Sequence, residues 1–278
     1  MSGGGTRDSK PKKAAAWGAL PAVVLVLATY GFVLFSDRSP TRLVLERAWA
    51  APTSSLPLGA ADGGVDLLAA VLHASARGIT LAFFVAAIGL LVGAPLGAAA
   101  GLRGGVFGTF VARACDLVQS FPTFLLALAV LSVVRAPTRA HMAAVFCLSA
   151  WAPFARLSLL QARVLSAASF VEAARALGVP ERTIVWRHIL PNLLGPVAVQ
   201  AGAVASAIVL GEAALGFIGL GPRDGVSLGA LLEQGIIGML RAPHVLVVAA
   251  VAVSAVSGSL QLSSEALRAA VGRRDALD

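Results

Sequence analysis

The chain has 278 residues, 58% of them hydrophobic and 13% charged, with a mean hydropathy of +0.84 and a formal net charge of +8. Soluble domains carry roughly 25% charged residues, so about half of the expected water-facing charge is missing, which argues against a water-soluble domain and for a protein embedded in lipid. The excess of Lys and Arg does not point to nucleic acid, because there is a single Tyr and no basic stripe interleaved with aromatics; in multi-span membrane proteins these residues gather in cytoplasmic loops beside anionic headgroups.

Residues 1–13 are Gly- and Lys-rich and are expected to form a disordered cytoplasmic N-terminus. Residues 14–36 predict a first transmembrane helix. Their apolar run is longer than a signal-peptide core, and no small-residue cleavage site follows Phe35. Residues 37–78 read as an external segment. Five further apolar segments follow, at about Ile79–Gly101, Leu117–Val134, Met142–Leu160, Leu193–Leu220 and Pro243–Leu262. Backbone amides in lipid must be satisfied within their own segment. The predicted fold is therefore all-α, a polytopic bundle of about six transmembrane helices. Its core spans 79–262, with a cytoplasmic loop at 166–192 and a cytoplasmic tail at 263–278. The fifth segment is long enough to tilt, or to break near Gly211.

With the N-terminus inside, fourteen of the 22 Lys and Arg residues fall on the cytoplasmic side and eight on the outer side. This bias orients the chain with both termini cytoplasmic. Within the second segment Gly89, Gly93, Gly97 and Gly101 recur every four residues, a small-xxx-small spacing that lets membrane helices approach closely.

Several chemistries are absent from the pattern. Cys115 and Cys147 lie in or beside apolar segments without a CxxC, and no disulfide is expected. His73, His141, His188 and His244 are scattered, so no metal site is expected. No GxxxxGK[ST] string occurs, so the chain does not bind ATP in that mode. Arg113 and Asp116 are spaced as an i,i+3 ion pair. Glu212 is an acid inside the fifth apolar segment, and an ionisable group at membrane depth is a candidate for the translocation path.

The most informative stretch is EAARALGVPERTIVWRHILP, Glu172–Pro191, an amphipathic, Arg-bearing segment between two apolar ones. Ser169 and Glu172 are spaced as a capping box, and Gly178 can supply a left-handed helix end. Pro180 suits the first turn of a second helix, and Pro191 discourages continuation beyond Leu190. The expectation is helix–turn–helix outside the bilayer. Ala173 and Ala174 would leave a face that another protein can approach, while Leu177, Ile184, Val185 and Ile189 would anchor in a groove. Arg175, Arg182 and Arg187 would remain for solvent, lipid phosphate or acidic partners.

The residues Glu172-Ala173-Ala174, Gly178 and Leu190-Pro191 resemble the coupling loop of the membrane subunits of binding-protein-dependent ABC importers. Arg187–Asn192, RHILPN, is similar to the branch that carries dipeptides, oligopeptides and nickel. Further likeness lies in Pro57-Leu58-Gly59 with Asp62, Gly64 and Asp66, in Ser120-Phe121-Pro122, in Trp151–Arg156 and in Leu215–Gly221. The chain departs from the family at Leu56, Ala60, Ala61, Val65 and Leu228, and in the tail from Ser263. The resemblance implies a type I importer permease fold and no enzymatic activity in this chain. It implies ATP and magnesium on one or two separate cytoplasmic ATPase subunits, a second permease subunit and an extracytoplasmic solute-binding protein. It assigns ATPase coupling to Glu172, Ala173, Ala174, Leu177, Gly178, Ile184, Ile189, Leu190 and Pro191, and places the chain in a bacterial inner membrane, in contact with lipid.

Overall fold

The computed structural model describes residues 9–275, with side chains described from 18 to 271. Among the described residues there is no β-strand, and ten α-helices account for most of the chain. Of the expected N-terminal disordered stretch, residues 1–8 lie outside the described residues. Residues 9–13 are helical instead, since α1 covers Ser9–Phe35.

The second helix, α2 (Leu67–Arg103), starts twelve residues before the expected boundary at Ile79. The signal is Asp66, whose carboxylate accepts from the N–H groups of Leu68 (3.0 Å) and Ala69 (3.3 Å) as an N-cap. Its other oxygen takes Arg38 at 2.7 Å. The segment between α1 and α2 thus ends at Asp66, and Leu67, Ala70, Val71 and Ala74 enter the core.

The expected third span is a broken one. α3 (Gly105–Ser120) and α4 (Thr123–Val133) meet at a bend of 67°. Pro122 causes the break, because its ring excludes Phe121 from helical geometry and holds it extended at φ −95°, ψ 122°. A run of apolar residues does not reveal this, because hydropathy is indifferent to backbone direction.

α5 (Arg139–Ser166) follows, then the short helices α6 (Ser169–Ala176) and α7 (Glu181–Ile184). α8 (Leu190–Leu215) is joined to α7 through a π-helical turn at Val185–Ile189, and a second π-turn runs over Gly216–Leu220. Residues 181–220 therefore form one continuous span. No break occurs at Gly211, which instead packs on the Phe146 ring. α9 (Leu228–Ile237) is a short apolar helix that the sequence reading passed over. Ser227 caps it by accepting from the Ala230 N–H at 3.1 Å. α10 (Pro243–Asp275) extends thirteen residues past the expected end at Leu262. The expected tail is held because the Ser264 hydroxyl donates to the Val199 carbonyl at 2.7 Å and Val271 packs on Gly195 of α8; residues 276–278 lie outside the described residues.

Among the described residues, five helices can cross a membrane by length and composition, or six when α3 and α4 count as one bent span. Alternation is visible in the contacts. At one end Gly18 of α1 abuts Ala266 of α10, and Gly195 of α8 abuts Val271 of α10. At the other end Gly59 abuts His244, Gly225 abuts Arg77 and Gly238 abuts Trp49.

The helices are joined by close backbone approach and by hydroxyl bonds between spans, as expected where lipid supplies no hydrophobic drive to pair them. Gly89, Gly93, Gly97 and Gly101 all face α5, against the carbonyl oxygens of Ala150, Trp151, Ala155 and Leu159. Tyr30 of α1 donates to Ala76 at 3.1 Å, and Ser206 of α8 donates to the Ser257 carbonyl of α10 at 2.9 Å. Ala100, Val111, Cys115, Ala152, Ala155 and Leu159 form a separate small core that seats α3 on α2 and α5. Cys115 and Cys147 are free thiols. Asp116 pairs with Arg156 of α5 and not with the expected Arg113; the neighbouring helix presents a better-placed cation than the same helix does.

Candidate ATPase-docking loop and translocation hollow

The loop between α5 and α8 is built in three parts. α6 begins at Ser169 with Ala168 as its N-cap and no side-chain cap, so the capping box expected at Ser169 and Glu172 does not form. The Glu172 N–H goes to the Ala168 carbonyl at 3.2 Å. The Glu172 carboxylate is left exposed in the first turn, where the helix dipole favours it. α6 ends in a Schellman motif. Gly178 sits at φ +75°, its N–H bonds the Arg175 carbonyl at 2.9 Å, and the Val179 N–H reaches the Ala174 carbonyl at 3.0 Å.

α7 then starts at Glu181, with Pro180 as its N-cap rather than within its first turn. Pro191 does not end the helix as expected. It lacks an N–H, and its ring would collide with the carbonyl four residues back. The π-turn at Val185–Ile189 widens the helix just before it, with the Leu190 N–H bonded to the Val185 carbonyl. The Asn192 side chain bonds the His188 carbonyl at 2.6 Å. α7, the π-turn and α8 therefore form one rod running from the loop into the bundle.

The structure divides the residues singled out in the sequence. Ile184 and Ile189 have no exposed surface, and Val185 is 7% exposed. They share one core with Val171, Ala174, Leu102 and Ala162. The expectation that Ile184, Val185 and Ile189 anchor in a partner's groove is therefore corrected, because residues near the ends of α2 and α5, Leu102 and Ala162, already pack in the core with them. Ala173 and Ala174 face opposite ways, Ala173 exposed and Ala174 buried. Leu190 and Pro191 line a groove of about 370 Å³ with Leu90, Leu91, Ala94, Pro95 and Trp186, on the flank of the bundle. The outward set is Glu172, Ala173, Ala176, Leu177 and Gly178, with Leu177 83% exposed. Arg182 and Arg187 are exposed as expected. Arg175 is exposed too, but its guanidinium turns back toward the bundle, pairing with Glu181 at 2.9 Å.

Glu212 is 4% exposed, and its Oε2 has no hydrogen-bond partner. It lies against Gly78 of α2, between helices of this chain. A separate hollow of about 290 Å³ opens between α4, α5 and α8, lined by Thr123, Phe124, Phe146, Ser149, Ala150, Pro153, Val204, Ala207, Ile208 and Gly211. It is apolar apart from two hydroxyls, and Glu212 is not in its wall. Among the described residues no three His, Cys, Asp or Glu side chains come together in a way that holds a metal.

Known proteins bear on this arrangement. Over 266 residues, 95% of this chain and 86% of the relative, the sequence is 28% identical to the glutathione transport system permease protein GsiD of Pectobacterium atrosepticum. It is 32% identical over 216 residues to the GsiD of an Escherichia coli strain, covering 77% of this chain and 69% of the relative. It is 28% identical over 209 residues to the dipeptide transport system permease protein DppC of Alkalihalophilus pseudofirmus, covering 73% and 68%. Residues 93–274, which include α5, the loop between α5 and α8, α8 and nearly all of α10, match the family described as the inner membrane component of binding-protein-dependent transport systems. The chain belongs to that family and is a transmembrane subunit of an ABC importer.

Proposed function

We propose that this subunit forms half of a translocation path for peptides or small peptide-like solutes, and that a separate cytoplasmic ATPase docks on the outward face of α6. The observation that carries the docking assignment is the division of the loop. Its inner face is sealed into the core by Val171, Ala174, Ile184 and Ile189, while a small, backbone-accessible tip with a protruding Leu177 stays uncovered. An apolar side chain this exposed at the end of a membrane bundle is suited to a partner pocket. The outward residues Glu172, Ala173, Leu177 and Gly178 are the contact set, and Ile184, Ile189, Leu190 and Pro191 act by holding the rod behind it. ATP and magnesium belong to the partner.

The peptide assignment rests on the similarity to glutathione and dipeptide permeases and on the uncharged hollow between α4, α5 and α8. Such a wall suits solutes with varied side chains, because no fixed charge selects among them. Completion of the path requires a second permease subunit, with delivery by an extracytoplasmic binding protein. The Lys and Arg asymmetry supports cytoplasmic termini and a cytoplasmic docking loop.

Co-purification in mild detergent tests the docking face. Ala173→Arg and Leu177→Arg should insert normally yet lose the ATPase. Retention of the ATPase by both variants would sink the assignment, and an unaltered chain that repeatedly purifies alone would favour a membrane scaffold without transport.

A further inference from the structure

Arg175 of the docking loop donates hydrogen bonds to the ends of two membrane helices. Its Nη2 lies 3.4 Å from the Leu102 carbonyl, in the last turn of α2, and its Nη1 lies 3.5 Å from the Ser166 carbonyl, the last residue of α5. Its Nε donates to Glu181 Oε1 at 2.9 Å, at the start of the rod that becomes α8. The final carbonyls of a helix have no intrahelical donor and carry its negative pole, so they draw a cation. Two such poles converge on one guanidinium, whose planar fork offers donors in several directions at once. The second carboxylate oxygen of Glu181 is buried and without a partner, so the pair holds Glu181 turned inward toward this junction.

We propose that Arg175 is the positioning residue that makes the docking loop move as one body with α2, α5 and α8. The proposal rests on the docking reading above. The pair is too exposed, at 39% and 40% of the side chains, to add much stability. Its effect is geometric. α6 is only eight residues long, and without the fork its displacement is passed on through the chain itself, the apolar contacts of Val171 and Ala174, and the contact of the Phe170 ring with His188. With the fork, a push on the outer face of α6 reaches the ends of α2 and α5 and the start of α7 together. Arg175 points away from the docking face, so its loss leaves the partner's contact surface in place.

The test uses the complete complex, reconstituted in proteoliposomes, with dipeptide uptake and ATP hydrolysis measured side by side. Arg175→Ala should keep the ATPase in the complex and keep hydrolysis, while uptake per ATP falls by about tenfold, within the range by which residues remote from both sites alter coupling. Arg175→Lys should fail to restore it, because a point charge cannot span two carbonyls and a carboxylate. Glu181→Gln should lower the same ratio by a smaller factor. Should Arg175→Ala not insert, the Lys and Gln variants carry the measurement. Unchanged uptake per ATP in Arg175→Ala, or full rescue by Lys, overturns the proposal. Loss of the ATPase from Arg175→Ala also overturns it, because the residue would then be a docking contact. If the unaltered chain holds no ATPase, the docking reading fails first and this proposal with it.

Discussion

Adding one methyl group at Gly97 should loosen the bundle at its tightest seam. A Cβ there would lie 2.8 Å from both the carbonyl carbon and the Cα of Ala155, and nearer still to that residue's oxygen. Every obstructing atom is backbone, so no side chain can swing aside. Moving from 2.8 Å to the 3.4 Å of ordinary contact forces α2 and α5 apart by at least the difference. A radial gap of 0.5–1 Å already forfeits a quarter to a half of each dispersion contact. In lipid, packing of this kind is the main attraction between helices. Overpacking of this kind costs about 1–3 kcal/mol. For a protein of this size each kcal/mol shifts Tm by about 2–4 °C, so Gly97→Ala should melt roughly 5 °C lower. The assay is loss of the monodisperse species from detergent extracts on heating. The control is Gly258→Ala in α10, where an added Cβ meets nothing within 4 Å. Relief of the glycine penalty there should leave Tm level or raise it, by about 1 kcal/mol in stability. Equal melting of Gly97→Ala and Gly258→Ala would refute the reasoning.

Three other outcomes are expected. A cysteine placed at Arg182, which is exposed, should resist a membrane-impermeant maleimide in intact cells and react after permeabilisation; labelling in intact cells would reverse the topology. Asp66→Ala removes the N-cap of α2 and the partner of Arg38 together, and thermal melting should show a loss of about 1–2 kcal/mol, whereas Asp66→Asn should recover most of the capping share. Glu212→Gln should melt no lower than the unaltered protein and should leave dipeptide uptake intact, because a buried carboxylate with an unpartnered oxygen gains little from its charge; a strong fall in uptake with unchanged melting would instead place Glu212 on the path.

The spans were legible because apolar length is a strong signal, and so was the α2 stripe, because a four-residue glycine repeat constrains one helix face wherever that face points. The docking loop was legible as a segment but not in its orientation. Ala173 and Ala174 are indistinguishable in a sequence; which one is buried depends on how α6 lies across the ends of α2 and α5. Arg175 reads in the sequence as a solvated cation, and only the convergence of two helix ends brings it a partner 73 residues away, the Leu102 carbonyl. The break at Pro122 was locally encoded, since proline restricts the residue before it, yet the high average hydropathy of 117–134 masked it despite Gln119, Ser120 and Thr123. Pro191 misled in the other direction. Read alone it stops a helix, but a π-turn one step earlier absorbs the missing hydrogen bond. Asp66 was an available cap signal at the head of α2, hidden because the residues after it are too mixed in polarity to resemble a span.

The role proposed for this chain is to turn ATP hydrolysis by a partner into solute movement. Its most direct test is uptake of radiolabelled dipeptide and glutathione by proteoliposomes containing the complex purified through this subunit, supplied with its binding protein, with ATP presented on the docking-loop side. Uptake should require ATP and disappear when Leu177→Arg replaces the unaltered chain. ATP-independent uptake, or undiminished uptake with Leu177→Arg, would contradict it.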